Sequence, residues 1–264
     1  MKVSKKSLIV SIAVLCVCAL SLSAASFAWF TNATQAKVDT LQMKVEQRSS
    51  LELSITGQES AVGWKHILGT ADFKKANLYY DNNNTVMQLN DASTNDFSSW
   101  VKATYNDTTS KFAFTANADK ASKTTAAADY LEMPIHFRAA TPGSVVVNNP
   151  NFSLANTALA PALRVGSVVA GTKTIYGNPT SNKFTYQSDL TVTDNFTGTA
   201  AVTTSTKALS ALNGLSIALV KNDTTGYYEA TATFYVWIEG TDAACIDKNT
   251  PSDVFAAMDF NLVD

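Results

Sequence analysis

The sequence predicts an all-β protein, an antiparallel β-sandwich with polar loop insertions, behind an N-terminal signal helix. Three observations carry that expectation. Apolar and polar residues alternate with period two in run after run, most clearly at 41–45, 51–55, 130–138, 227–239 and 258–262, which is the pattern of half-buried strands. No strand pattern alternates with a long helical one, so there is no βαβ rhythm. Charged residues are 16% of the chain, against roughly 25% in soluble domains. Thr, Ser, Asn and Ala fill the difference, and a surface of hydroxyls and amides suits an extracellular β-protein.

The first 28 residues carry the signal reading. Lys5 and Lys6 precede an apolar run, and Ser26-Phe27-Ala28 puts small residues at the −3 and −1 positions of a junction. A positive start, an apolar middle and a small-residue end make a secretory signal peptide. Cleavage is expected between Ala28 and Trp29, with Ala24 or Ala25 as alternatives. The chain then divides into a signal peptide, 1–28, and one sandwich domain, 29–264. The competing reading is an uncleaved anchor, since 7–28 is long enough to span a bilayer of roughly 20 apolar residues. Ser and Ala crowd the end of the run and weaken it as a span. Cys16 and Cys18 follow Leu15 and Val17, not the small residue of a lipobox.

Export sets the compartment as secreted or cell-surface. Lys2, Lys5 and Lys6 are the only charges in 1–28, so their removal takes the net charge from −2 to −5. With no basic stripe to neutralise phosphates, no nucleic-acid partner is expected. Membrane contact is expected only through the signal segment before cleavage. One cysteine, Cys245, remains after processing, so no internal disulfide forms.

Taken in order, 38–56 reads as two strands or one long bent strand ending at Gly57. Trp64, Ile67 and Leu68 form a small apolar group. A short strand is expected at 86–89 and a loop at 91–99. Strands follow at 100–105 and 111–115, and a loop or short surface helix at 117–129. The strand at 130–138 puts Leu131, Met133, Ile135 and Phe137 on one face; Pro134 cannot donate to a ladder and predicts an edge or bulge there. A short strand is expected at 144–147, a loop at 148–154, and a hairpin from 160–167 to 173–176 around Ala170-Gly171. Residues 177–203 read as a polar inserted loop or hairpin. A helical turn at 205–212 should end at Asn213-Gly214, before a strand at 215–221 and a turn at 222–226. The strand 227–239 is apolar on both faces near its end. A loop holding Cys245 spans 243–251, and Met258, Phe260 and Leu262 alternate in the last strand. Some ten to twelve short strands with little helix suggest a jelly-roll-like sandwich.

Chemistry-bearing residues are sparse. His66 and His136 are the only histidines, in neither an HExxH nor a GxSxG context, so no catalytic residue, cofactor or metal is assigned and the chain is not expected to be an enzyme. Cys245 has no base near it in sequence. The loop 239–242, with Asp247 and Asp253, has oxygen ligands for calcium, weighed against a merely solvated acidic loop. Trp64, Tyr79, Tyr80 and Trp100 are the aromatics a sugar site would use, weighed against core packing. No LPxTG-like signal is present, so sorting to the wall through one is not expected.

Two stretches resemble a known family. Ser26-Phe27-Ala28-Trp29-Phe30-Thr31-Asn32 resembles the A-x-F-[ST]-[DN] junction handled by SipW-type signal peptidases, and the alternating strand 41–45 follows it. The run YVWIEGTDAAC, 235–245, resembles a Trp-x-Glu-Gly-x-Asp-x-x-Cys strand end. Together they resemble the TasA and camelysin proteins, jelly-roll subunits of Gram-positive biofilm-matrix fibres. The likeness covers the first fifty residues and the last forty. It implies self-association by strand donation, with 29–45 as the donor and Trp29, Phe30, Val38, Leu41 and Met43 as anchors. The partners implied are further copies of the chain and, during export, a signal peptidase. Residues 31–37 are polar and depart from an anchoring pattern, and the protease label of camelysin finds no support in these residues. The alternative is a monomeric surface adhesin or carbohydrate-binding module.

Overall fold

Alternation in the sequence becomes two large sheets that share one core. A computed structural model describes residues 40–45, 50–80, 86–94, 96–106, 108, 111–116, 118–177, 206–246 and 250–264. The expected signal segment and its junction Ala28-Trp29, and Phe30 and Val38 of the expected donor, lie outside them, as does most of the insertion expected at 177–203. From Asp39 to Asp264 the chain forms one compact unit.

The elements run β1 (Leu41–Val45), β2 (Glu52–Ile55), α1 (Glu59–Val62), β3 (Ile67–Gly69), α2 (Thr70–Lys75), β4 (Met87–Leu89), β5 (Asp91–Ala92), β6 (Val101–Asn106), β7 (Lys111–Ala116), β8 (Ala127–Ala128), β9 (Tyr130–Ala139) and β10 (Ser144–Leu154). They continue with β11 (Leu163–Val169), β12 (Thr172–Gly177), β13 (Thr206–Lys207), β14 (Ser216–Ala218), β15 (Val220–Lys221), β16 (Tyr228–Glu239), α3 (Ala243–Ile246) and β17 (Ser252–Val263). One sheet has the order β14-β10-β17-β1-β3, with β4 on β17 and β8 on β4. The other has the order β13-β12-β11-β16-β9-β2, with β5 and β15 on β16. The hairpin β6-β7 stands apart. The long ladders are antiparallel. Parallel pairing joins β1 to β17, β4 to β8, β12 to β13 and β5 to β16, with one isolated parallel bridge between Lys120 and Tyr130.

The two sheets meet through their alternate residues. Leu131, Met133, Ile135 and Phe137 of β9 are fully buried, as are Phe234 and Val236 of β16. Opposite them lie Val254, Ala256, Met258 and Phe260 of β17, and Leu41, Met43 and Val45 of β1. Phe137 and Phe260 touch edge to face across the layers, with ring centroids 5.0 Å apart. Each large side chain removed from water here contributes about 1.5–3 kcal/mol.

Several local expectations are revised. Pro134 lies inside a sheet, with β9 flanked by β16 and β2, and not in an edge strand. It sits where β2 gives out: β2 pairs only as far as Ile55 with Ile135, and Thr56 N–H still donates to the Pro134 carbonyl at 2.9 Å. The N–H that proline lacks would therefore face the turn after β2, where no ladder continues. Residues 148–154, expected as loop, belong to β10. The ladder to β17 shifts between Asn148 and Asn151 and then resumes to Leu154, with Asn149 at φ 45, a bulge that Asn and Pro disguise as a turn. No helix forms among the described residues of 117–129; Ala121 is buried and donates to the Tyr130 carbonyl instead. Two short helices, α1 and α2, occupy the stretch around Trp64, and a third, α3, the expected loop at 243–251. The hairpin at Ala170-Gly171 forms as expected, with φ 47 and 79 at its two turn residues, the positive pair that a tight hairpin requires.

Candidate functional site

The strand end 237–245 builds a buried network of hydrogen bonds. Trp237 is fully buried at the end of β16, and its indole N–H donates to Glu239 Oε2 at 3.0 Å. Glu239 Oε1 accepts from Ser93 Oγ at 2.5 Å, from Thr241 Oγ1 at 2.7 Å and from Thr241 N–H at 3.1 Å. Four donors satisfy a carboxylate that is 1% exposed, as burial of a charge demands. Gly240 has no room for a side chain: a Cβ would lie 2.9 Å from Asp91 Oδ2 and 3.0 Å from Ala103 Cβ. Asp242 pairs with Arg164 on β11 at 2.7 Å, both side chains being at most 5% exposed. Its other oxygen caps α3 through Ala244 N–H, and Arg164 also donates to the carbonyls of Pro161 and Leu163. Gly177 lies against the Arg164 stem, where a Cβ would come within 2.6 Å.

Cys245 is enclosed by the same group. Burial pushes its thiol up, Asp91, Glu239 and Asp242 add to that, and Arg164 only partly opposes it. A protonated, buried thiol is a poor nucleophile. The carboxylates weighed for calcium have internal partners: Glu239 and Asp242 as above, and Asp253 through Gln88 at 3.0 Å. Asp247 lies outside the described residues. Among the described residues no group of three His, Cys, Asp or Glu is placed to hold a metal ion.

The aromatic candidates do not form an open platform. Tyr79 is fully buried and Trp100 is 8% exposed. Trp100 stacks on Tyr130 at 3.8 Å and meets Trp237 edge-on at 5.4 Å. Phe97 stacks on Tyr235 at 4.9 Å and lies on Gly166, whose absent Cβ would sit 2.6 Å from the ring. Together these rings form a second apolar cluster beside the main core. Burial, with Glu132 and Tyr130 nearby, pushes the Tyr235 phenol up to about 12. Of the aromatics weighed between a sugar site and core packing, Tyr79 and Trp100 are packed in the interior, and Tyr80 and Trp64 are half-buried.

Trp64 is half-buried in a separate ionic cluster on the β2-β9-β16 face. The Arg138 guanidinium lies 4.1 Å from the Trp64 ring centre and 4.6 Å from that of Tyr227, and it donates to Glu52 at 2.7 Å. His136 Nδ1 is 2.8 Å from Glu59 and its Nε2 is 3.7 Å from Glu229. Glu229 also accepts from Asn222 and Thr225. Burial pushes the Glu59 carboxyl up, but hydrogen bonds from His136 and the Gly57 N–H outweigh it and hold the group below its usual range. Glu229 is likewise held low by Thr225, Asn222, His136 and Arg138 against its desolvation. His66 is exposed and bonds to the Leu51 carbonyl at 3.0 Å. The two histidines thus sit in separate bonding systems, one on a backbone carbonyl and the other on carboxylates.

Of the expected polymerisation strand, Leu41 and Met43 are described. Both are fully buried in β1, which pairs with β17 from Leu41–Ala256 to Val45–Phe260 and with β3 on its other side. They are core residues of this chain. β4 pairs with β17 just upstream, at Ser252–Val254, and the Thr40 carbonyl ahead of β1 accepts from Ala256 N–H at 2.9 Å. No helix among the described residues is long and apolar enough to cross a membrane. No family model matches this sequence, and no curated protein and no solved structure matches it either.

Proposed function

We propose that the chain is a secreted, non-enzymatic structural protein, a subunit of an extracellular fibre at a Gram-positive cell surface. Cleavage after Ala28 frees Trp29, and the segment 29–38, with Trp29, Phe30 and Val38 as anchors, is donated to the next subunit. We further take the two sheets to be a jelly roll, with 1–28 as the signal helix. One observation supports the donation reading most directly. The place on β17 upstream of β1 belongs to β4, so donation to a neighbour would not compete with a longer β1 ladder on this strand. Leu41 and Met43 then act as the root that holds the donor to its own core, a narrower role than anchoring in a neighbour. Repeated head-to-tail donation that does not close on itself gives a filament.

The reading is tested with protein that starts at Trp29. Negative-stain microscopy and light scattering should show polymers that vanish when 29–38 are deleted, while circular dichroism stays that of the folded sheets. A processed chain that remains monomeric at high concentration, with or without that segment, would sink the proposal. N-terminal sequencing of the secreted protein fixes the cleavage position independently.

A further inference from the structure

The one Asn-Gly pair in the sequence, Asn213-Gly214, sits in an exposed turn between a short 3-10 helix, Leu209–Leu212, and β14. Asn-Gly is the dipeptide most prone to spontaneous deamidation, because a glycine places no side chain in the path of its own amide nitrogen. Here that nitrogen is engaged. Gly214 N–H donates to the Val147 carbonyl at 2.8 Å, and the Val147 N–H returns a bond to the Leu215 carbonyl at 2.9 Å. The Asn213 side chain is held as well: its Oδ1 accepts from Asn149 N–H at 3.1 Å. Asn213 has φ −64 and ψ 125, and Gly214 has φ 88, so Leu215 N–H closes the turn on the Leu212 carbonyl at 3.1 Å.

We propose that Asn213 is a latent site of spontaneous modification that the β10-β14 edge holds shut and that reacts only when this edge parts. The step is an intramolecular acyl transfer. The Gly214 amide nitrogen attacks Asn213 Cγ, a C–N bond forms, the Cγ–Nδ2 bond breaks, and ammonia leaves with the proton. Water then opens the succinimide at either carbonyl, giving an aspartyl or isoaspartyl residue in place of Asn213, with no oxidant or reductant involved. The two products differ in their fit. The aspartyl carboxylate keeps the shape of the amide and still accepts the Asn149 N–H, although Asp259 is close, tied to the Asn149 side chain at 3.2 Å. The isoaspartyl form lengthens the backbone by one methylene between buried Leu212 and the Gly214 N–H, so the turn and the Val147 pairing cannot both re-form. Because β14 is a three-residue edge strand anchored by buried Ile217, it belongs to the part of the sheet that opens most easily.

The full chain is incubated at mildly alkaline pH, in buffer and in unfolding urea, and the Asn213 peptide is followed by mapping for the mass gain and for the isoaspartyl product. Conversion in urea should exceed that in buffer by about tenfold or more, a tenfold gap corresponding to about 1.4 kcal/mol of opening free energy. Gly214→Ala should suppress it in urea. Ile217→Ala should accelerate it in buffer, and Met87→Ala, a core truncation on β4 of the same sheet, should do so far less. Equal conversion in buffer and urea would overturn the proposal. So would equal acceleration by both truncations, which would mean that global unfolding, and not the β14 edge, exposes the site. The comparison of buffer with urea stands even where a variant fails to fold.

Discussion

At the residue scale the governing fact is that ionic groups are bonded inward. Arg164 and Asp242 are 78 positions apart in sequence and almost wholly buried, and each is the other's charged partner. Asp242→Ala removes the carboxylate and leaves the guanidinium with its carbonyl acceptors, and loss of one member of a buried pair costs about 3–5 kcal/mol. Urea unfolding should show the lowered midpoint, and Arg164→Leu combined with Asp242→Leu should recover part of it. The surface cluster makes a pH prediction. Glu59 and Glu229 titrate below their usual range in the fold, so the folded state holds protons less tightly than the unfolded chain. Their stabilisation is fully present above the unfolded value of about 4.5 and is lost as pH falls through the folded values. Urea midpoints measured between about pH 6 and about pH 3 should therefore drop more steeply in the parent than in Glu59→Gln. Equal slopes would remove the carboxylates from the account.

At the element scale β1 decides how the first and last parts of the chain are joined. Leu41 and Met43 point into the core between β17 and β3, so their truncation acts on the monomer. Leu41→Ala should lower stability by about 2–5 kcal/mol, whereas Trp29→Ala should leave the thermal midpoint unchanged and affect assembly alone. A strand donor that truly included Leu41 would show the reverse, a loss of polymer with no loss of monomer stability. The alternation at 41–45 was legible from the sequence because period two survives any partner. Its place was not, because a parallel ladder to residues 256–260 leaves no local trace. The same limit hid β10 beyond Asn148, where turn-forming residues make a bulge, and α1 and α2, which are too short to show a helical period. Pro134 signalled a break in pairing correctly, yet the break is the end of a neighbouring strand and not of its own.

At the scale of the whole molecule, the two sheets and their shared core could be read from alternation and composition, while the site-like features could not. The Trp-x-Glu-Gly-x-Asp-x-x-Cys run announces itself by residue type, but its meaning depends on Ser93, Asp91 and Arg164, none of them near it in sequence. What the structure adds is a knot that fastens the aromatic layer to the sheet beneath it. Trp237 donates to Glu239 from within the layer, Glu239 binds Ser93 just before the Phe97-Trp100 segment, and Phe97 lies directly on Gly166 of β11. The layer therefore has no way to leave without breaking buried hydrogen bonds of the second sheet, so it should melt with the whole and not before it. Near-ultraviolet circular dichroism, dominated by these packed rings, should fall at the same urea concentration as the far-ultraviolet sheet signal. Glu239→Gln, which keeps the shape but turns one accepting oxygen into a donor NH2 so that the donors on that side lose their acceptor, should separate the two transitions, with the aromatic signal lost first. Coincident transitions in that variant would show that ring packing alone secures the layer.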